Sequence, residues 1–432
     1  MLEQLLSTLK TFQGAEYLIR ETQTRRVEGY NIKKQSEMAR EVETCQLALT
    51  LYAVFEEEGK KYRGSYNTEI HPGTSTDELK EIISQGMYAA GFVKNAYYPL
   101  VSPAAPKAVV GKDVDIDNAI AELQTAFHAT DNHGQGHISY SEFFVTHSDV
   151  RIINSSGVDV GYTTNHVFVE TAVHQPTPDG GEIEISEAYR FSLQDIPASA
   201  KYLQGRVADL FTVAQKKAVA VPTPTVGDIN ILLSGECLST FFSYYQENAD
   251  AQMVYQSLST YKEGDVVQGT DDSDRITITL DPNMEGSANS KPYDQHGQPL
   301  DSHEIITKGK LVKYWGDTRF SSYLGTQPTG NISNIYVTGG TASDTDLRKE
   351  PYLELVSFSD FQVNSVTGDL GSEIRLGFYF DGKTITPVTG GSITGNMANV
   401  QDSLRMSVEE RQYNNYRGPA TVRLRGASIS GS

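Results

Sequence analysis

Several stretches of this chain set hydroxyl, amide, carboxylate or imidazole groups at spacings that chemistry could use, and each has a competing structural explanation. Asp131 to Phe143 places Asp at position 1, Gly at 6, Ile at 8 and Glu142 at 12 of a calcium-loop pattern, after a helical segment. His133 and Gln135, however, stand where hard oxygen donors belong, and Phe143 to Thr146 reads as strand, so a turn between helix and strand is expected. His303-Glu304-Ile305-Ile306-Thr307 begins like a zincin motif, but Thr307 occupies the place of the second histidine needed one helical turn on; a polar strand start fits better. His133, His137 and His147 could collect an adventitious metal ion, yet no shared element holds them together, and solvated loop histidines are expected. Cys237 near a helix N-terminus would gain reactivity from a depressed pKa, but its neighbours Leu238 and Phe241 predict burial. There is no Gly-x-Ser-x-Gly elbow, and Gly339-Gly340 and Gly390-Gly391 read as β-turns because no Lys-Ser or Lys-Thr follows them.

The richest stretch runs from Asp228 to Asn248. Ile229 to Leu233 reads as a short buried strand, Ser234 as an N-cap, and Glu236 as a favourable charge at the positive end of the helix that follows. Cys237, Leu238, Phe241, Phe242 and Tyr245 form one apolar stripe on that helix. The opposite flank carries Ser239, Thr240, Ser243, Tyr244, Glu247 and Asn248, with no histidine and so no first-rate metal ligand. Two further segments, Thr367-Gly368-Asp369 and Thr394-Gly395-Asn396, read either as the wall of a substrate channel or partner surface, or as turns whose geometry Gly and Asn/Asp supply.

The elements that must position these groups are mixed. A short amphipathic helix over 2–11 precedes an antiparallel meander with strands over 16–20, 27–32, 46–55 and from Tyr62. The capping box Ser75-Thr76-Asp77-Glu78 starts a second helix. Val101 to Lys112 reads as a linker, followed by a helix over 116–128, strands over 138–144, 150–154, 161–173 and 183–192, and a long helix over 197–219. Short strands and glycine turns fill the remainder, and the tail beyond Gly426 is expected to fray. The expected fold class is α+β, with antiparallel or mixed sheets and several long helices. The units are an N-terminal α+β unit over 1–103, a central α+β unit over 104–222 and a β-rich unit over 223–432. The formal charge of −19 argues against nucleic-acid or acidic-membrane partners. No apolar run approaches the ~18 residues of a membrane span, and no signal sequence is recognised, so the cytoplasm is the expected compartment. Cys45 and Cys237 are too few and too separated for a disulfide framework and are both expected to be buried.

The strand, cap and helix of 229–248, the segments Ser257 to Gly269 and Ile276 to Asp281, and the ordered features at Asn364 to Leu370, Gly377, Pro387-Val388 and Ser392 to Asn396 together resemble the TldD/PmbA family. Tyr293 to Asn331 and Ile152 to Gly157 extend the likeness over essentially the whole chain, more loosely in the first ~100 residues. In that family one paralogue, TldD, bears a His-Glu-x-x-x-His zinc motif on this helix and a C-terminal cysteine ligand. The other, TldE or PmbA, does not. Ser243, Tyr244 and Asn248 stand at the motif positions here, and no cysteine follows Cys237, so the chain resembles the metal-free paralogue. The resemblance implies a non-catalytic subunit of a TldD–TldE-type zinc metallopeptidase, with zinc on a TldD-like partner and no cofactor in this chain. Its substrates would be peptides or unfolded proteins. Homodimers in the partner's absence, a stand-alone interaction protein modulating a target such as DNA gyrase, and a homodimeric hydrolase with an unrecognised site are the alternatives.

Overall fold

The structure, a computed structural model, describes residues 1–107, 114–131, 136–227, 229–270 and 272–432. Helix α1 (Leu2–Leu9) leads into strands β1 (Glu16–Ile32), β2 (Gln35–Glu57) and β3 (Lys60–Ile70), then helices α2 (Thr76–Ala90) and α3 (Ile116–Ala129). Strands β4 (His137–Asn154), β5 (Asp159–Pro176) and β6 (Glu182–Ser192) precede the long helix α4 (Ile196–Ala218). After β7 (Val221–Pro222) and β8 (Asn230–Ser234) come helices α5 (Cys237–Asn248) and α6 (Ala251–Tyr255). Strands β9 (Thr277–Leu280), β10 (His303–Thr307) and β11 (Lys310–Leu311), helix α7 (Thr318–Leu324), strand β12 (Ile335–Thr338) and helix α8 (Asp344–Leu347) follow. The remainder holds β13 (Tyr352–Phe358), β14 (Gln362–Val363), β15 (Asp369–Phe380), β16 (Ile385–Thr389), β17 (Ser392–Asn396) and α9 (Met397–Val400). It closes with β18 (Arg405–Met406), β19 (Glu410–Tyr413), β20 (Tyr416–Pro419), β21 (Thr421–Leu424) and β22 (Ser428–Ser430).

The fold is α+β, as expected, and rests on three sheets. The first is antiparallel throughout, in the order β3-β2-β1-β4-β5-β6. Because β1 pairs with β2 on one side and β4 on the other, this sheet continues across residue 103. Its strands are longer than the apolar alternation alone suggests. Polar residues 35–46 extend β2 beyond the end of β3, whose last pair is Leu47 with Ile70, and charged side chains there guard an open edge. Cys45 lies in this extension and is exposed, contrary to the expectation of burial. Helices α1 and α2 cover Leu47, Leu49 and Leu51, while α3 and α4 cover Phe143, Val145, Val167 and Val169.

The other two sheets sandwich α5. One runs β11-β10-β9-β12-β20-β19 and the other β18-β21-β8-β13-β15-β16-β7, with parallel pairs β12/β20, β8/β13 and β7/β16 among antiparallel ones. The α5 stripe residues Phe241, Phe242 and Tyr245 are fully buried among side chains from both sheets, each ring contributing about 2–3 kcal/mol through area removed from water. Ser234 does not cap this helix: it stays in β8 opposite Thr421, Gly235 at φ +89° makes the turn, and the Ser234 hydroxyl donates to Glu354 (2.8 Å). Nor does the C-terminal tail fray, because β22 pairs with β17 from Ser428 to Ser430. The described part of the linker is anchored too, with the Val101 carbonyl accepting from Asn154 (2.8 Å) and the Lys107 N–H donating to Tyr293 (2.7 Å).

Just past α5, Asp250 caps α6 by accepting from the Gln252 N–H (2.8 Å). Burial, with Asp317 and Glu247 nearby, outweighs that cap and pushes its carboxyl up to about 6. The folded state therefore binds the proton more tightly than the unfolded chain, and stability falls as pH rises from about 4 through about 6. Asp250→Asn keeps the capping oxygen and is expected to flatten that decline by roughly 1–3 kcal/mol. Urea denaturation across this pH range measures it.

Candidate functional site

Helix α5 presents two ends to polar surroundings. At its C-terminal end Asn248, itself buried, donates from its amide to the carbonyls of Tyr244 and Ser365 (both 2.9 Å), while its own carbonyl accepts from Ser259 (2.7 Å). Ser243 donates to Thr240 one turn back (3.0 Å), and Tyr244 packs edge-on against Tyr245. Zinc needs imidazole, thiolate or carboxylate donors. These three side chains offer a hydroxyl, a phenol and an amide whose donors already serve the protein, and they do not fit the ion.

The bond to Ser365 ties α5 to the two glycine segments, which the structure brings together. Strands β15 and β17 pair Asp369 with Asn396, Leu370 with Gly395 and Gly371 with Thr394. The Asn396 amide donates to Thr367 O and Asp369 Oδ1 (both 2.9 Å), and Thr367 Oγ1 donates to Asp369 Oδ2 (2.7 Å). The Asn396 and Thr367 bonds hold the Asp369 carboxyl below its usual range. Gly368 takes φ +76°, a left-handed turn that a side chain would strain. Every polar atom named here answers another within the cluster, while Thr367, Asp369 and Thr394 remain exposed on its outside.

The N-terminal end of α5 opens onto a cleft of about 760 Å³ whose lining includes neither Ser243, Tyr244 and Asn248 nor the glycine cluster. One wall is the consecutive run Ile185 to Arg190 of β6, and another is Val356 to Phe361, the end of β13 and the turn after it; Arg411, Tyr413, Asn414 and Asn415 are also part of the lining. Both β6 and β19 end their sheets, so each offers an edge unpaired by another strand among the described residues. Inside, Arg206 from α4 donates to Glu236 (2.7 Å) and lies over the rings of Tyr189 and Tyr413. Its Nε is buried with no partner among the described residues. Partial burial, with the Glu236 carboxylate beside it, pushes Glu187 above the usual carboxylate range. Deeper, the Arg348 guanidinium grips buried Glu354 through two bonds (2.9 and 2.6 Å) and reaches Thr421 (3.0 Å).

Residues 226–431 match the family model described as the PmbA/TldA metallopeptidase C-terminal domain. This match places the C-terminal part of the chain in the TldD/PmbA family. In fold the entire chain is similar to three solved structures. A Thermotoga maritima protein described as a candidate modulator of a DNA gyrase is 15% identical, with complete coverage of both chains and a TM-score of 0.79. TldE from Thermococcus kodakarensis is also 15% identical with complete coverage of both, at a TM-score of 0.77. A candidate DNA gyrase modulator from Bacteroides thetaiotaomicron is 17% identical at a TM-score of 0.79, with 100% of this chain and 98% of that one covered. None of the curated proteins matches the chain in sequence.

The remaining sequence candidates separate cleanly on the TldD/PmbA fold. His303 to Thr307 is strand β10, so His303 and Glu304 point to opposite faces. Of the calcium-like loop, residues 132–135, including His133 and Gln135, lie outside the described residues; the flanking Asp131 accepts from the Ile138 N–H (3.1 Å) as β4 begins. His147, ten residues along β4 from His137, bonds to Asn165 instead (2.7 Å). Arg206, Glu236, Arg348 and Glu354 were invisible as a group because they come from separate segments with no shared spacing.

Burial pushes the Cys237 thiol up, the reverse of what a nucleophile needs, and its sulfur rests against the Ser234 carbonyl (3.4 Å). In the native protein a thiol reagent is expected to modify Cys45 alone, with Cys237 reacting only on unfolding; mass spectrometry of the labelled peptides checks this. Asn248→Ala leaves the half-buried Ser365 carbonyl without its donor and is expected to cost about 1–2 kcal/mol of stability by denaturant titration.

Proposed function

We propose that this chain is the non-catalytic subunit of a TldD–TldE-type peptidase, holding an extended peptide or unfolded segment for a zinc-bearing TldD-like partner. What supports the reading is α5: the resemblance sets Ser243, Tyr244 and Asn248 at the metal-motif positions, and the Ser243 hydroxyl and Asn248 amide there are already engaged by backbone carbonyls. On this reading the partner supplies the ion and the activated water, and this chain carries no catalytic residue and no cofactor for the cleavage. The family match of the C-terminal part and the fold shared with TldE support it.

The cleft between the β6 and β19 edges suits such a ligand. An extended peptide can add to a free strand edge through main-chain hydrogen bonds without a required sequence. Tyr189, Tyr202 and Tyr413 give side chains an amphipathic wall. The exposed face of the Thr367 to Asp369 and Thr394 to Asn396 cluster is the second surface we assign to substrate or partner. A charge of −19 opposes nucleic acid as a ligand, so action on a target such as gyrase would proceed through protein contacts. Among the described residues no helix is long and apolar enough to cross a membrane, and we assign the subunit to the cytoplasm.

Mixing the purified chain with a His-Glu-x-x-x-His paralogue and an unstructured peptide tests the proposal. Cleavage by the pair, with neither protein active alone, is the expected result, together with co-elution of the two. Peptide cleavage by this chain alone, or a paralogue equally active without it, would overturn the reading.

A further inference from the structure

The outer face of the first sheet carries a set of ligand groups that neither the family nor the cleft explains. Antiparallel register places His137 of β4 directly opposite His174 of β5, and His174 opposite Glu184 of β6. Cross-strand partners share a face, so these side chains form one row over three strands, with Glu182 two residues along β6 on the same side. The opposite face at this level is core, with Ile138 and Val173 fully buried. One ligand atom from each of His137, His174 and Glu182 lies within 4.8 Å of the others. His137 and His147, expected from the sequence to be solvated loop histidines, both lie in strand β4, and register pairs His137 with His174.

We infer that His137, His174 and Glu182 form a binding site for a divalent transition-metal ion of the zinc type, with Glu184 orienting His174 from behind. His174 Nδ1 and Glu182 Oε2 stand 3.1 Å apart, close to the ~3.3 Å separation of two ligands on a tetrahedral ion with bonds of about 2.0–2.1 Å. The other imidazole nitrogen, Nε2, is 2.6 Å from Glu184 Oε2. With the proton on Nε2 facing Glu184, Nδ1 would be free to ligate an ion in place of its contact with Glu182, the carboxylate–histidine–metal arrangement that positions ligands in metalloproteins. The His137 and His174 rings are 5.3 Å apart, and their strands hold both backbones in a hydrogen-bonded ladder. Two imidazoles and one carboxylate suit zinc and its first-row neighbours over magnesium or calcium, and three protein ligands leave a fourth position for water. His174 is 28% exposed and Glu182 45%, so an ion can enter without any opening of the fold.

The site stands independently of the peptidase reading, and the experiment needs no partner. Tag-free full-length chain, stripped with a chelator, is titrated with zinc by calorimetry and with cobalt by absorbance. The expected result is one ion per chain, a zinc-dependent rise in Tm, and a cobalt spectrum of low-coordinate type. His137→Ala, His174→Gln and Glu182→Gln each weaken zinc binding by more than about 100-fold, and Glu184→Gln by about 10-fold. The metal-free melting temperature of each variant verifies folding. Should a variant fail to fold, the wild-type stoichiometry and cobalt spectrum still decide. Absence of stoichiometric binding, an octahedral spectrum typical of surface carboxylates, or affinity unchanged in the three ligand variants would overturn the inference.

Discussion

A helix enclosed between two sheets can keep polar side chains only if each finds a backbone partner, and this constraint governs the C-terminal half of the molecule. Phe241, Phe242 and Tyr245 of α5 are buried completely between strands of both sheets. Gln246 and Asn248 are buried on the same helix, and every donor they bring is assigned: Gln246 to the Ile332 carbonyl (3.0 Å), Asn248 to those of Tyr244 and Ser365. The Gln246 carbonyl in turn accepts from the Trp315 indole (2.7 Å). An unassigned buried amide costs the full desolvation penalty of about 1–3 kcal/mol, so each of these bonds fixes a loop as well as satisfying a group. The 365 segment, the 332 segment and Trp315 are all located by what α5 requires.

Fixing α5 at its C-terminal half leaves its N-terminal end to form the cleft. Gly235 turns the chain out of β8, and Glu236 faces Arg206 instead of capping the helix. The strand edges opposite are open because β6 and β19 close their sheets with no further partner among the described residues. Open edges invite aggregation unless charge or a neighbouring element covers them. Here Arg190, Arg206, Glu187, Glu236 and Arg411 ring the space, keeping it wet and polar while leaving the β6 backbone accessible. The −19 balance of the whole chain does not describe this cleft, where cations and anions are interleaved.

What was readable in the sequence follows from which forces act locally. The α5 stripe, the Ser75 capping box and the α3 and α4 helices are set by periodicity and caps, and all lie within a residue or two of where their patterns place them. The reach of β1 and β2 was not readable, because residues such as Glu21 to Arg26 and Gln35 to Thr44 carry little apolar alternation; ladder hydrogen bonds to neighbouring strands hold them. Cys45 was misjudged for the same reason, since burial there depends on where β3 stops. Ser234 satisfied the composition of an N-cap but was retained by β8 pairing and the Glu354 carboxylate, a contact 120 residues distant in sequence. The cleft residues and the His137–His174 pair share that character: only register and topology bring them together.

The same physics explains what holds this helix in its place. Where a structural ion supplies much of the folding free energy, removing its ligands unfolds the domain. On α5 the anchoring is apolar and amide-based, through fully buried Phe241, Phe242 and Tyr245 and the carbonyl contacts of Gln246 and Asn248. Ser243 and Tyr244 lie on the less buried flank and contribute little that a side chain of similar size could not. Position 248 differs in kind, because its amide spans from α5 to the 365 loop and through it to the paired Asp369 and Asn396 strands. Without that amide the Ser365 carbonyl loses its side-chain donor. The Asn248 amide thus ties the glycine cluster to the helix, so the packing at this end of α5 depends on the residue at 248.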